Sequence, residues 1–421
     1  MTVEREELNR RLRSAREDCG MKQEDVARHL GVSRSTIAQM ELGNRGVSGL
    51  ELSKLAYLYG RDIRSFLAEE FREENVLGAL FRKHPDLNEH EEVLSALREC
   101  MGLGREITNL EGLLGIDRDS TALPSYSVRP PRNKWEAVQQ GERIAAEERR
   151  RVGLGSVPIP DICEFLEAQG VRTAQVLLPD DLSGLTLADP DVGVLVVANA
   201  KHHFLRRRFS LAHEYCHVLA DRDQKGQISR ASERESFVEV RANAFAASFL
   251  MPREGVEEYV KGLAKGRPSR VQANVFDEEE ALQAQARPTP GSQSIQIYDV
   301  ALLANHFAVS RASALYRLKN LKLMKDPEFD ALMDQEERGL GGSVAKILAL
   351  PEPEHEEERN EFRRRFLALG LEAYRRGEIS RRKLRSLAAM VGVEEYSLDR
   401  IITDTGIEEE DVGSDVLVPE Q

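Results

Sequence analysis

Apolar residues recur at helical spacing along most of this chain and form short alternating or continuous runs in only two places. The pattern predicts a multidomain, mainly α protein with a small sheet. In residues 1–66, Val26, Leu30, Val32 and Ile37 are spaced to pack two short helices together across a turn. Gly31 can take the left-handed conformation of such a turn and Ser33 can cap the helix after it, so the unit reads as an all-α helix-turn-helix head. Residues 67–116 carry further stripes: Leu77, Leu80 and Phe81; Val93, Leu94, Leu97 and Met101; Ile107, Leu110, Leu113 and Leu114. They predict a helical connector whose stripes serve either as core or to pair two copies of the chain. Residues 117–132, rich in proline and small polar residues, are expected to be a linker.

From residue 133 the pattern becomes mixed, and 133–262 reads as an α+β domain. It opens on a charged helix from about Trp135 to Arg151. Strands are expected around Thr173–Leu178 and Val192–Val197, the second buried because its apolar run is unbroken. Such a strand can receive an extended peptide segment as a further strand, and this pairing is expected of the second. Residues 263–294 combine low hydrophobicity, an acidic run and three prolines, which predicts a flexible loop. Residues 295–325 repeat the helix, Val309-Ser310 turn, helix grammar, residues 326–405 read as a helical C-terminal region, and 406–421 as a disordered acidic tail.

Two of these segments carry chemistry. His213-Glu214-Tyr215-Cys216-His217 is an H-E-x-x-H motif on a predicted helix. Residues four apart share a helix face, so both imidazoles can reach one metal ion from the same side. Glu214 lies about 100° round the axis, placed to act as general base rather than as a ligand. A tetrahedral zinc needs a third protein ligand and leaves one place for water, whose pKa then falls to about 7. Glu239, on the next helical segment, is the expected third ligand, with Asn243 one turn on as a hydrogen-bond partner of the ligands. Glu235 and Glu233 are competing carboxylates.

The block Arg207-Arg-Phe-Ser-Leu-Ala-His-Glu-x-x-His217, followed by Glu239-x-x-Ala242-Asn243-x-Phe245-Ala246-Ala247-x-x-Leu250-Met251-Pro252, resembles the ImmA/IrrE family of zinc metallopeptidases. The resemblance runs over roughly 133–260 and implies a zincin-like fold, Zn2+ as cofactor and a protein substrate: a repressor or similar regulator, or this chain itself, cut in response to stress, mobile-element or phage signals. It also implies that 295–325 belongs to the peptidase fold. The family usually has Gly where this chain has Cys216, which reads as a small buried filler in preference to a fourth ligand or a redox group. The first 66 residues resemble the Cro-type, lambda-repressor-like (XRE family) helix-turn-helix. In that docking Arg34, Ser35, Thr36 and Gln39 on the second helix face base edges, Ser33 caps it, Gln23 opens the helix before, and Asn44 and Arg45 lie near the DNA backbone. The alternative reading is a transcription factor whose peptidase-like domain is a catalytically silent sensing or dimerisation module.

Charge qualifies the partners. The whole chain is −13, whereas residues 1–66 hold 12 Lys/Arg against 10 Asp/Glu, so DNA binding is expected to be local, directed at a double-stranded operator, and dimeric. Residues 363–385 hold nine Lys/Arg against two Glu, a solvated face or a site where single-stranded DNA acts as activator. No apolar run approaches the ~18 residues of a membrane span, and the N-terminus does not read as a signal peptide. Four scattered cysteines fit a reducing compartment, so a cytoplasmic protein without a membrane partner is expected.

Overall fold

The computed structural model describes residues 4–405 apart from 20, 60, 62, 69–75, 78–79, 81–90, 117–122, 190–191, 222–225, 231–234, 266–270, 277–280, 287–292 and 352–356. Phe81, Glu233 and the expected acidic tail lie outside the described residues.

Helices Arg5–Asp18, Gln23–Leu30, Arg34–Glu41, Gly49–Leu58 and Ile63–Leu67 form the head. Its core gathers Leu12, Ala15, Val26, Ala27, Ile37, Met40, Leu52, Leu55 and Phe66. Gly31 ends the second helix at φ 71° and the Ser33 hydroxyl accepts the Thr36 N–H at 3.2 Å, so the turn is built by the two residues whose chemistry suits it.

The central domain is built on a mixed sheet of β1 (Val171–Val176), β2 (Leu182–Asp189), β3 (Gly193–Asn199) and β4 (Gly226–Arg230), in the order β1-β3-β2-β4. Strand β3 runs parallel to β1 and antiparallel to β2. Its unbroken apolar run is explained by burial on both faces: Val194, Val196 and Ala198 point to one core, Leu195 and Val197 to another. The first core is closed by helices Lys134–Arg151, Ile162–Ala168, Phe204–Ala220 and Phe237–Leu250. The expectation that β3 pairs with substrate is corrected by the topology. Both of its edges are already occupied by strands, so it has no ladder to offer; among the described strands the edges are β1 and β4.

The second core revises the connector. Helix Glu91–Leu113 lays Val93, Leu94, Leu97 and Met101 on the outer face of the sheet, against Leu182, Leu185, Leu187, Leu195 and Val197. Its distal half packs Ile107 and Leu110 against Phe366, Leu384, Leu387 and Leu398 of the C-terminal helices Glu357–Arg375, Arg381–Met390 and Glu395–Thr405. Val93, Leu94, Leu97, Met101, Ile107, Leu110 and Leu114 are therefore internal core and not a free pairing surface, whereas Leu113 is exposed.

The described parts of two expected loops also carry structure, with 117–122 of the linker outside the described residues. Residues 123–132 are no free linker: Leu123 is buried, the Tyr126 N–H donates to Leu219 O at 2.8 Å, and the Tyr126 hydroxyl donates to Glu148 at 2.9 Å. Within 263–294, β5 (Val271–Phe276) and β6 (Ala281–Ala286) form an antiparallel pair. The alternation Val271, Ala273, Val275 against Gln272, Asn274 is a strand period that low overall hydrophobicity concealed. The helix pair Ile297–His306 and Arg311–Asn320 inserts Ala314, Leu315 and Leu318 into the first core, and Arg317 donates to Met251 O at 2.9 Å. It is part of the peptidase-like body. No described helix is long and apolar enough to cross a membrane.

Candidate metal centre and DNA-reading head

His213 and His217 stand one turn apart on the helix Phe204–Ala220 with Nε2 atoms 3.2 Å from each other. Glu239 comes from the first turn of the helix Phe237–Leu250, where the Ser236 hydroxyl caps the Glu239 N–H and the positive end of the helix dipole favours a carboxylate. Its oxygens lie 3.1 Å from His213 Nε2 and 3.4 Å from His217 Nε2. All three side chains are buried. Glu235 does not take part: it is exposed and paired with Lys134 at 2.9 Å.

The outer contacts decide what the cluster suits. His213 Nδ1 meets Asn243 Oδ1 at 3.0 Å and His217 Nδ1 meets Asp221 Oδ2 at 2.9 Å. With both Nδ1 atoms committed to oxygen acceptors, the Nε2 atoms that face each other and a carboxylate become lone-pair donors once their protons leave. Three electron pairs converging in a buried space fit a divalent cation, and the two-imidazole, one-carboxylate set fits zinc. Burial lowers the His217 pKa, but hydrogen bonds to Asp221 and Glu239 outweigh it and raise the group to about 9. Burial likewise works to raise Glu239, while His213 and His217 hold it at about 2. A cation competes with those protons, so metal uptake should release them.

Glu214 is fully buried and is not one of the converging ligands. Its Oε2 accepts the Thr186 hydroxyl at 2.8 Å, and its Oε1 has no hydrogen-bond partner. A buried carboxylate oxygen is thus left without a partner on the helix that carries the two converging imidazoles.

In the head, Arg34, Ser35 and Gln39 are exposed along the helix Arg34–Glu41, and Thr36 is half-buried. Ser33 is tied to Ser35 at 2.7 Å and to Thr36 at 2.9 Å, which pre-orients the N-terminal turn of that helix. Asn44 and Arg45 are exposed in the loop after it, Arg45 donating to Glu51 at 2.9 Å. Gln23 is turned inward and donates to Glu41 at 2.9 Å, which also binds Arg16, so it braces the two helices.

Residues 7–65 match a helix-turn-helix domain and residues 167–267 match an IrrE N-terminal-like domain of the M78 peptidases. The chain joins these two domains in one polypeptide. No curated protein matches it. The IrrE-like match includes the whole sheet and all three converging ligands. It leaves out the helix Lys134–Arg151, which nevertheless packs along the helix that carries Glu239.

Several features of the IrrE-like domain were not legible as site residues. Asp221 follows His217 by four positions, and that spacing alone was the available signal. Its other oxygen accepts from Arg241, so the imidazole is held by a carboxylate that is itself anchored. Asp221→Asn should weaken zinc affinity roughly 10- to 100-fold, as loss of such an outer partner typically does; competition against a chromophoric chelator measures it, and unchanged affinity would remove Asp221 from the site. Cys216 is buried in the first core, its thiol pKa pushed up by burial, and it is not among the converging groups. The basic segment is largely paired: Arg365 with Glu111, Arg375 and Arg376 with Glu372, Lys383 with Glu106, and Arg381 and Arg385 with Asp399. The Arg365 and Lys383 contacts tie the C-terminal helices to the connector, the Asp399 contacts tie two of those helices together, and the Glu372 pairs are local to one helix. They favour the solvated structural face over a phosphate cradle.

Proposed function

We propose that the chain is a DNA-binding transcriptional regulator carrying a zinc-dependent endopeptidase, whose substrate is a regulatory protein of the repressor kind or the chain itself. The convergence of His213, His217 and Glu239 beside the open carboxylate oxygen of Glu214 carries this reading. A bound zinc supplies a Lewis acid that polarises water and the scissile carbonyl. Glu214 takes the proton of the attacking water and passes it to the leaving amine. Asn243 and Asp221 hold the two imidazoles in the tautomer that keeps Nε2 available. An extended substrate segment suits the open edge at β4. The catalytically silent alternative is disfavoured by the completeness of this set.

The test is a comparison of protein termini in cells expressing wild type or Glu214→Gln. New N-termini present only with the wild type identify the substrate; identical terminus sets in both leave no room for an endopeptidase.

For the head, the reading is that two copies bind a short palindromic site. On a site selected from random-sequence DNA, Arg34→Ala or Gln39→Ala should cost about 1–3 kcal/mol and relax preference at one base pair. Arg45→Ala should weaken all sequences alike. Equal affinity and unchanged preference in Arg34→Ala would take that side chain out of the readout.

A further inference from the structure

Strand β2 touches the site through one face and the connector through the other. Leu185 and Leu187 lie in the core beneath the connector helix, while the residues that alternate with them, Gly184 and Thr186, meet Glu214. The Thr186 hydroxyl donates to Glu214 Oε2 at 2.8 Å. At Gly184 an added Cβ would come within 2.8 Å of Val197 O, 3.0 Å of Glu214 Oε1 and 3.1 Å of Glu214 Cγ. Any side chain there would press on the oxygen that has no other neighbour to bond.

Thr186 is itself fixed. It is buried, and β2 is paired on both sides, with β3 and with β4. A hydroxyl presented by a doubly paired strand has little freedom, so one carboxylate oxygen is held while the other stays open. The hydrogen bond at one oxygen therefore selects one rotamer of the buried carboxyl group.

We propose that Thr186 and Gly184 are positioning residues for the base: the hydroxyl anchors one oxygen of Glu214, and the missing side chain leaves space for the other to meet water. This rests on the metallopeptidase reading above.

Acetohydroxamate provides a probe that needs no knowledge of the substrate. It chelates zinc and gives its proton to a base beside the metal, whereas azide binds zinc without needing that base. Zinc-loaded full-length Thr186→Val should keep one zinc per chain and bind azide as the wild type does. It should lose roughly tenfold in acetohydroxamate affinity, the low end of what removing an outer positioning partner typically costs, because the carboxyl group is no longer held where it can take the hydroxamate proton. Thr186→Ser, which keeps the hydroxyl, should stay close to the wild type. Gly184→Ala gives an independent readout should Thr186→Val fail to fold: its Cβ meets the Val197 carbonyl as well as Glu214, so zinc and azide affinity serve as the check that the sheet is kept, and with both kept acetohydroxamate is expected to weaken by crowding of Oε1. Thr186→Val, or Gly184→Ala in its place, that binds acetohydroxamate as tightly as the wild type overturns the proposal alone, as does a Thr186→Ser variant impaired as badly as Thr186→Val. Wild-type protein that takes up no zinc overturns the metallopeptidase reading together with it.

Discussion

Glu214→Gln is expected to retain one zinc per chain and the wild-type fold while losing proteolysis by roughly 10²- to 10⁴-fold, the usual loss when a general base is removed. The substitution is nearly isosteric, and the amide oxygen can still accept the Thr186 hydroxyl that Glu214 Oε2 now accepts at 2.8 Å. What disappears is proton affinity at the second position. Glu214 is not one of the three converging groups, so its replacement should not disturb metal stoichiometry. The measurement is paired: elemental analysis for zinc and appearance of cleaved product over time. Undiminished cleavage by Glu214→Gln would assign the base elsewhere. Loss of both zinc and cleavage would show that Glu214 acts through the metal site's assembly and not as a base.

The second large effect concerns the ligands. His213→Ala, His217→Ala and Glu239→Ala should each bring zinc well below one per chain, whereas Glu235→Ala, at a position paired with Lys134 on the surface, should leave it at one. Removing one group also strands the others. In Glu239→Ala two buried imidazoles lose the carboxylate now 3.1 and 3.4 Å from their Nε2 atoms, so melting temperature should fall as well as metal content. A ligand bound only to the folded state stabilises it by mass action, about 2.7 kcal/mol at a hundredfold excess over Kd. A strong chelator should therefore lower the wild-type melting temperature and leave that of Glu239→Ala unchanged. Full zinc occupancy in Glu239→Ala would move the third ligand to another carboxylate.

The sequence by itself determined the elements whose logic is local. The H-E-x-x-H spacing places two imidazoles on one face because an α-helix repeats every 3.6 residues, whatever surrounds it. Gly31 and Ser33 specify their turn for equally local reasons, a left-handed φ and a side-chain cap. Val192 to Val197 could be read as a buried strand because an unbroken apolar run has to be covered on both faces.

Tertiary structure decided everything that depends on which distant segments meet. That β3 is interior to the sheet, and so unable to receive a substrate strand, follows from the pairing order and leaves no trace in the strand's own residues. The stripe Val93, Leu94, Leu97, Met101 looks the same whether it faces a second copy or its own sheet; its burial against the outer face of β2 and β3 settled the matter. The basic run of 363–385 reads equally as a solvated face or a nucleic-acid site until folding sets Glu111 beside Arg365, Glu106 beside Lys383, and Asp399 beside Arg381 and Arg385. Thr186 and Gly184 became part of the site only when β2 was laid along the helix bearing Glu214, 28 residues beyond Thr186. Periodicity and capping act over a few residues and are written in neighbouring letters, whereas pairing order, charge neutralisation and close approach are properties of contacts between parts of the chain that sequence proximity does not connect.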